Sequence, residues 1–379
     1  IYSSLQGHGK IAWSELDNRT WLSTLADYKE YSQRGTIEVE RLNFGANLCL
    51  GMAERRLNFD SVKAEKGMAL WNGDPELNRE LRNYSAVEDF ALQEPWYSDK
   101  EIAVFIGDRN QYFMDLLTPL PNFNQVYEVL QKELHFIGAA FDLYHLDDLR
   151  AASDREIYKL CIFLNAEALS DEQIVIINER FKRNGRTLLW FWAPGYINER
   201  TGMDAGRVSD VTGMVLKVDL TPIMDEIRLD PSHRWFPEMD SQKIFSRLPY
   251  ANRQWFQKTY APHFHAEDNG IETAGRYAVN GKTAFAIKKA KDWTSVFCGI
   301  PYLPRQILSK VAEEAGVHRF VNDPRLYVNA CRSWVVLHNT VAEPSETMVR
   351  LPRHARIYDL FRKKVLSRGA NKFDTRLGP

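Results

Sequence analysis

Between Arg155 and Gly195 the chain alternates a strand, a helix and a second strand, and no other segment constrains the fold as much. Leu160 to Leu164 reads Leu-Cys-Ile-Phe-Leu, and Thr187 to Trp192 is a second run with almost no polar interruption. Runs of this kind predict strands covered on both faces, as parallel strands beneath helices are. Between them, Ser170 and Gln173 have the spacing of a capping box, while Ile174, Ile177 and Phe181 make one apolar stripe. Gly185 then supplies a left-handed stop. The loop that closes the unit, Ala193-Pro194-Gly195, carries neither a hydroxyl nor a thiol. The unit therefore reads as scaffold rather than catalyst.

At 379 residues the chain exceeds what one hydrophobic core usually supports, and its patterning divides into three α/β or β segments. In residues 1–98, Lys10 to Asp17 predicts a strand and Thr36 to Leu57 a helix. Gly67 to Trp71 predicts a second strand, and Asp74-Pro75 opens another helix with proline at its first position. Strand, helix, strand, helix is the rhythm of parallel α/β structure. Residues 99–322 read as a doubly wound domain. Its strands are Glu101 to Ile106, Asp142 to Tyr144, Leu160 to Leu164, Thr187 to Trp192, Thr283 to Ile287 and Ser295 to Cys298. Helices are expected over Asn124 to Ala140 and Pro304 to Ala315. A stretch of about seventy residues inside this domain is longer than most connections and implies structure that the pattern does not reveal. Residues 323–379 hold five short strand-like runs separated by turn residues: Leu326 to Val328, Ser333 to His338, Met348 to Leu351, Ile357 to Phe361 and Lys364 to Leu366. They predict a small antiparallel β domain.

Lysine plus arginine, 49, balance aspartate plus glutamate, 50, so charge gives no argument for a nucleic-acid or anionic-membrane partner. No apolar run reaches the length of a membrane span. Cys49, Cys161, Cys298 and Cys331 are far apart and mostly lie in apolar runs, so they read as buried thiols without zinc or disulfide-framework spacing. The start at Ile1 and the end at Pro379 lead us to expect a piece of a longer chain.

The most chemical segment is Trp13-Ser-Glu-Leu-Asp-Asn-Arg19. On a continued strand Trp13, Glu15, Asp17 and Arg19 share one face. Carboxylates, an arginine and a tryptophan at the carboxyl end of a parallel strand are where barrel enzymes place their chemistry. The competing reading is a solvated loop with Asp17 and Arg19 paired on the surface. His263-Phe264-His265 sets two imidazoles on one strand face, but a third zinc ligand is not signalled, so no metal is assigned. No glycine-rich phosphate loop follows any strand, and no cofactor is assigned either.

Several ordered segments carry a resemblance. They are Tyr158 to Leu164, Leu169-Ser-Asp-Glu-Gln173, Asn184-Gly-Arg-Thr-Leu-Leu189, Trp293 to Gly299, Leu303-Pro304, Ala315-Gly-Val-His318 and Tyr358-Asp-Leu-Phe361. In this order they resemble the trimerisation domain of β-galactosidases of glycoside hydrolase family 42, and the likeness extends upstream through Trp13 to Arg19 and Gly67 to Glu76. The resemblance implies the end of a (β/α)₈ barrel over residues 1–98. A flavodoxin-like, class I glutamine amidotransferase-like trimerisation domain without catalysis would follow over 99–322, and a β domain over 323–379. Lys10 to Asp17 would be the seventh barrel strand and Gly67 to Trp71 the eighth. Glu15 would be the nucleophile of a retaining mechanism. Trp13, Asp17, Arg19 and Trp71 would contact a carbohydrate substrate, in a homo-oligomer of trimer type. A whole barrel takes about 250 residues, so the acid/base carboxylate, which the family draws from its fourth strand, would lie outside this chain. A non-catalytic oligomerisation or carbohydrate-binding module is the alternative.

Overall fold

The computed structural model describes residues 2–18, 20–22, 32–57, 72–93, 96–113, 124–236, 244–246 and 259–378. The expected strand at Gly67 to Trp71 lies outside them. Strand β1, Trp13–Leu16, pairs in parallel with β2, Ala53–Arg56, across the helix Gln33–Leu50. That helix was expected to run to Leu57. It stops at Gly51, which takes φ 63 and closes the last turn by donating to Asn47 and Leu48 carbonyls. Such a left-handed cap suits glycine. Residues 53–56, Ala-Glu-Arg-Arg, have no strand propensity of their own, and pairing with β1 makes them a strand. Among the described residues β1 and β2 form a two-stranded sheet of their own.

The second helix begins as its sequence implies. Asp74 caps it by accepting from the Glu76 and Leu77 amides at 2.8 and 2.9 Å, with Pro75 in the first turn, and it runs Pro75–Ala91. Phe44 stacks on Tyr84 at 4.3 Å and locks the two helices together.

Among the described residues the large sheet has nine strands. Five are parallel: β3 (Ile102–Ile106), β4 (Phe141–His145), β5 (Leu160–Leu164), β6 (Arg186–Phe191) and a late strand, Trp293–Cys298. Their spatial order is β4-β3-β5-β6 and then Trp293–Cys298, which is the flavodoxin-like order 2-1-3-4-5. The remaining four, Thr283–Lys289, Ile271–Tyr277, Glu226–Leu229 and Ile244–Ser246, extend the sheet antiparallel. A purely doubly wound sheet was expected. Part of the long unreadable stretch supplies the antiparallel half instead, and Thr283–Lys289 and Trp293–Cys298 are the two arms of a hairpin. Phe105, Phe163 and Trp190 stack in sequence across β3, β5 and β6, at 5.0 and 4.3 Å. The capping box is formed, Ser170 accepting from Gln173 N–H at 3.1 Å and Gln173 Oε1 from Ser170 N–H at 2.9 Å. The predicted helix from Asn124 is a wide π turn over Asn124–Glu133 followed by a tight turn to Phe136. It ends at Gly138, where φ is 80 and any Cβ would collide with the Val321 carbonyl oxygen.

β4 is the sheet's edge, and the short helix Tyr2–Gly7 covers it. Ser3 and Ser4 hydroxyls accept from the Leu143 and His145 amides at 3.2 and 2.8 Å, and Tyr2 donates to the Phe141 carbonyl at 3.0 Å. Side-chain oxygens thus satisfy the free amides of an edge that could otherwise pair with another chain.

The tail forms two hairpins, Leu326–Cys331 with Trp334–Asn339 and Ser345–Asp359 with Lys364–Leu377. Five short strands separated by turn residues were expected. The register shift between Arg350 and Ala355 absorbs Pro352, as bulges do. Val321, Leu326, Val328 and Val349 form a small separate core there.

His135 lies at the seam between this tail and the large sheet, its ring 4.8 Å from Tyr327 and 4.9 Å from Phe141. Burial, with the nearby Lys100 charge, pushes its pKa down to about 4. The unfolded chain binds this proton more readily than the folded one. The associated stability, about 3 kcal/mol for a shift of that size, is therefore full above pH 6.5 and is lost as pH falls toward 4. Thermal unfolding between pH 7 and pH 4 should show this loss. His135→Phe should flatten that part of the profile, and an unchanged slope would remove His135 as its source.

Candidate active site

The pleat of β1 exposes Trp13 and Glu15 together, while Leu16 turns inward. The register sets Arg55 opposite Glu15, so Arg55 stands on the same face. Its guanidinium lies 3.6 Å from a Glu15 carboxylate oxygen and 5.6 Å over the Trp13 ring. Both Glu15 and Arg55 keep just over half their side-chain surface in solvent. A flat ring, an exposed carboxylate and a guanidinium therefore sit side by side. Sequence reading missed Arg55 because its place depends on the pairing of two distant strands.

The opposite face is closed by charge. Glu54 and Arg56 form an ion pair there, Arg56 also meets Glu40 at 2.9 Å, and Asn47 donates to Glu54 at 2.8 Å. Burial raises the Glu54 pKa despite Arg56. Asn18 reaches Glu40 at 3.3 Å, which ties the end of β1 to the helix behind it. Asp17 is exposed just past the strand, beyond its last paired residue. Arg19 and Trp71 fall outside the described residues, so the structure brings together Trp13 and Glu15 of the expected set and adds Arg55. A broad groove between the two long helices and the tail hairpins takes in Ile11, Ala53 and Glu54 but neither Trp13 nor Glu15.

The α/β sheet carries an elbow without a nucleophile. Trp192 follows β6 with φ 56, the strained turn that presents a reactive side chain in hydrolases of comparable layout. Here the residue is a buried indole whose N–H donates to the Pro262 carbonyl at 2.8 Å. Burial raises the Cys161 and Cys298 thiols to about 12. The switch point between β3 and β5, where ligands of flavodoxin-like sheets bind, is filled. Asn110 donates there to the Asn165 carbonyl at 2.5 Å and to the buried Glu167 carboxylate, and accepts from the Ala168 amide at 2.7 Å. His263 and His265 lie buried on the strand His263–Ala266, with Asp219 3.6 Å from the first and Glu267 3.0 Å from the second. Burial lowers both imidazole pKa values. Among the described residues no group of three or more His, Cys, Asp or Glu side chains is arranged to hold a metal ion.

No family model matches the sequence, and no curated protein matches it. Solved structures do. A β-galactosidase from Bacillus circulans sp. alkalophilus superposes with a TM-score of 0.55 at 18% identity, over 79% of this chain and 44% of its own. One from Rahnella sp. R3 gives 0.53 at 14%, over 80% and 45%. A catalytic mutant of a family 42 β-galactosidase from G. stearothermophilus gives 0.56 at 14%, over 89% and 49%. The chain spans less than half the length of each. In fold, it is thus similar to β-galactosidases of glycoside hydrolase family 42, over a little under half of their chains.

Proposed function

We propose that the chain is the carboxyl-terminal part of a retaining glycoside hydrolase of β-galactosidase type, with Glu15 as its nucleophile. The observation that carries this reading is the shared face of Trp13, Glu15 and Arg55 on a parallel strand pair, in a chain with the fold of those enzymes. Glu15 would attack the anomeric carbon and form a glycosyl ester. Trp13 would stack on the apolar face of the sugar. Arg55 would hold the carboxylate in place between strand and substrate. The mechanism requires a second carboxylate about 5 Å away to protonate the leaving oxygen and then activate water, and a preceding portion of the barrel would supply it. The test is Glu15→Gln in the full-length protein, assayed on aryl β-galactosides; activity within a few-fold of the parent removes the assignment.

The α/β layer, with an indole at its elbow and a filled switch point, takes the role of joining subunits in this reading, as a trimer. Light scattering of the full-length protein at micromolar concentration should report an oligomer; a monomer would remove that role.

A further inference from the structure

Two of the four cysteines, from opposite ends of the chain, meet. Cys49 lies in the last turn of the helix Gln33–Leu50, and Cys331 ends the strand Leu326–Cys331 at the tight turn to Trp334. The Cys49 sulfur is 3.7 Å from the carbonyl oxygen of Trp334, the residue paired with Cys331 across the hairpin. The helix packs on this hairpin, which sets the Cys49 and Cys331 thiols as neighbours at its turn. The two environments differ. Cys49 is fully enclosed, and burial raises its thiol. Cys331 is 6% exposed, at the wall of the groove that also takes in Lys100 and Trp96. The Cys49 hydrogen bond, the Ser333 and Trp334 amides and the Lys100 charge together hold its thiol below the ordinary value. Thiolates stabilised by such donors are the reactive ones, and Cys161 and Cys298 have no comparable partner thiol.

We propose that Cys331 and Cys49 are a redox pair, Cys331 reacting with a peroxide and Cys49 resolving it to a disulfide. In the first step the Cys331 thiolate attacks one peroxide oxygen. The S–O bond forms, the O–O bond breaks, sulfur loses two electrons, and hydroxide leaves. In the second step the Cys49 sulfur attacks the sulfenic sulfur. The S–S bond forms, the S–O bond breaks, and water departs with the Cys49 proton. The bond ties the helix between β1 and β2 to the tail hairpin, and nothing in the proposal depends on the role given to Glu15.

The test is oxidation of the intact, folded protein with one equivalent of hydrogen peroxide, followed by peptide mapping without reductant. A peptide joining Cys49 to Cys331, lighter by two hydrogen atoms, is expected. In Cys49→Ser, dimedone should trap a sulfenic acid at Cys331 at least about tenfold faster than at Cys161 or Cys298. Four unmodified thiols in the folded protein, or equal labelling of all cysteines, would overturn the proposal. The mapping of the parent protein needs no variant, so it stands even if a substitution impairs folding.

Discussion

Glu15→Gln in the full-length protein is expected to lower kcat on aryl β-galactosides by about 10³-fold or more, with little change in KM. An amide is isosteric with the carboxylate but cannot form the glycosyl ester, and removing a covalent nucleophile costs on the order of this factor or more. The fold should tolerate the change. Glu15 is half exposed and its ion pair to Arg55 is 3.6 Å long between solvated groups, an arrangement worth about 0–1 kcal/mol. A fall in activity with an unchanged melting temperature would therefore report chemistry. Azide added to Glu15→Gly should restore turnover and yield a glycosyl azide of inverted configuration, because the small anion can enter where the carboxylate stood. Loss of activity without such rescue would point to a binding role for Glu15, and full activity of Glu15→Gln would dismiss the assignment.

Asp142→Ala is expected to cost about 3–5 kcal/mol of stability, the range for removing one partner of a buried ion pair. Asp142 is fully enclosed on β4. Its carboxylate accepts from Ser98 at 2.8 and 2.9 Å, from Tyr158 at 2.8 Å and from Ser3 at 3.3 Å, with Arg155 at 3.3 Å and the buried Lys100 ammonium at 3.4 Å. Alanine would leave the Lys100 charge buried and take away the acceptor that the Ser3, Ser98 and Tyr158 hydroxyls share. It would also loosen the opening helix from the sheet edge, since Ser3 bridges the two. Urea denaturation measures the loss. Pairing the change with Lys100→Met should recover part of it, because the stranded ammonium goes as well. A loss below about 1 kcal/mol would mean that water reaches the site after the change and that the network does not hold the edge.

The site and the fold were legible to different degrees. The strands Leu160–Leu164 and Arg186–Phe191, the Ser170–Gln173 capping box and the Asp74-Pro75 helix start all appear where their residues place them. Each signal acts over a few residues, through burial pattern, a cap oxygen or a fixed φ. Trp13 and Glu15 on one face follow from strand alternation alone. Arg55 was hidden because Ala53–Arg56 carries a helix-like composition and becomes a strand only by pairing with β1. Three of the four antiparallel strands, Ile271–Tyr277, Glu226–Leu229 and Ile244–Ser246, were hidden as well, because partners distant in sequence hold them in the sheet.

The sequence by itself determined that Leu160–Leu164 and Arg186–Phe191 are buried strands, where the helices after Asp74 and Ser170 start, and that the unit around Gly195 has no nucleophile. Those properties belong to consecutive residues and their local free energies. Tertiary structure alone decided that Arg55 stands beside Glu15, that an indole takes the strained turn after β6, and that Cys49 packs against the hairpin turn that carries Cys331. Each of these juxtapositions comes from long-range pairing, whose loop-closure entropy is recovered only when the whole core assembles, so no short stretch of sequence records it.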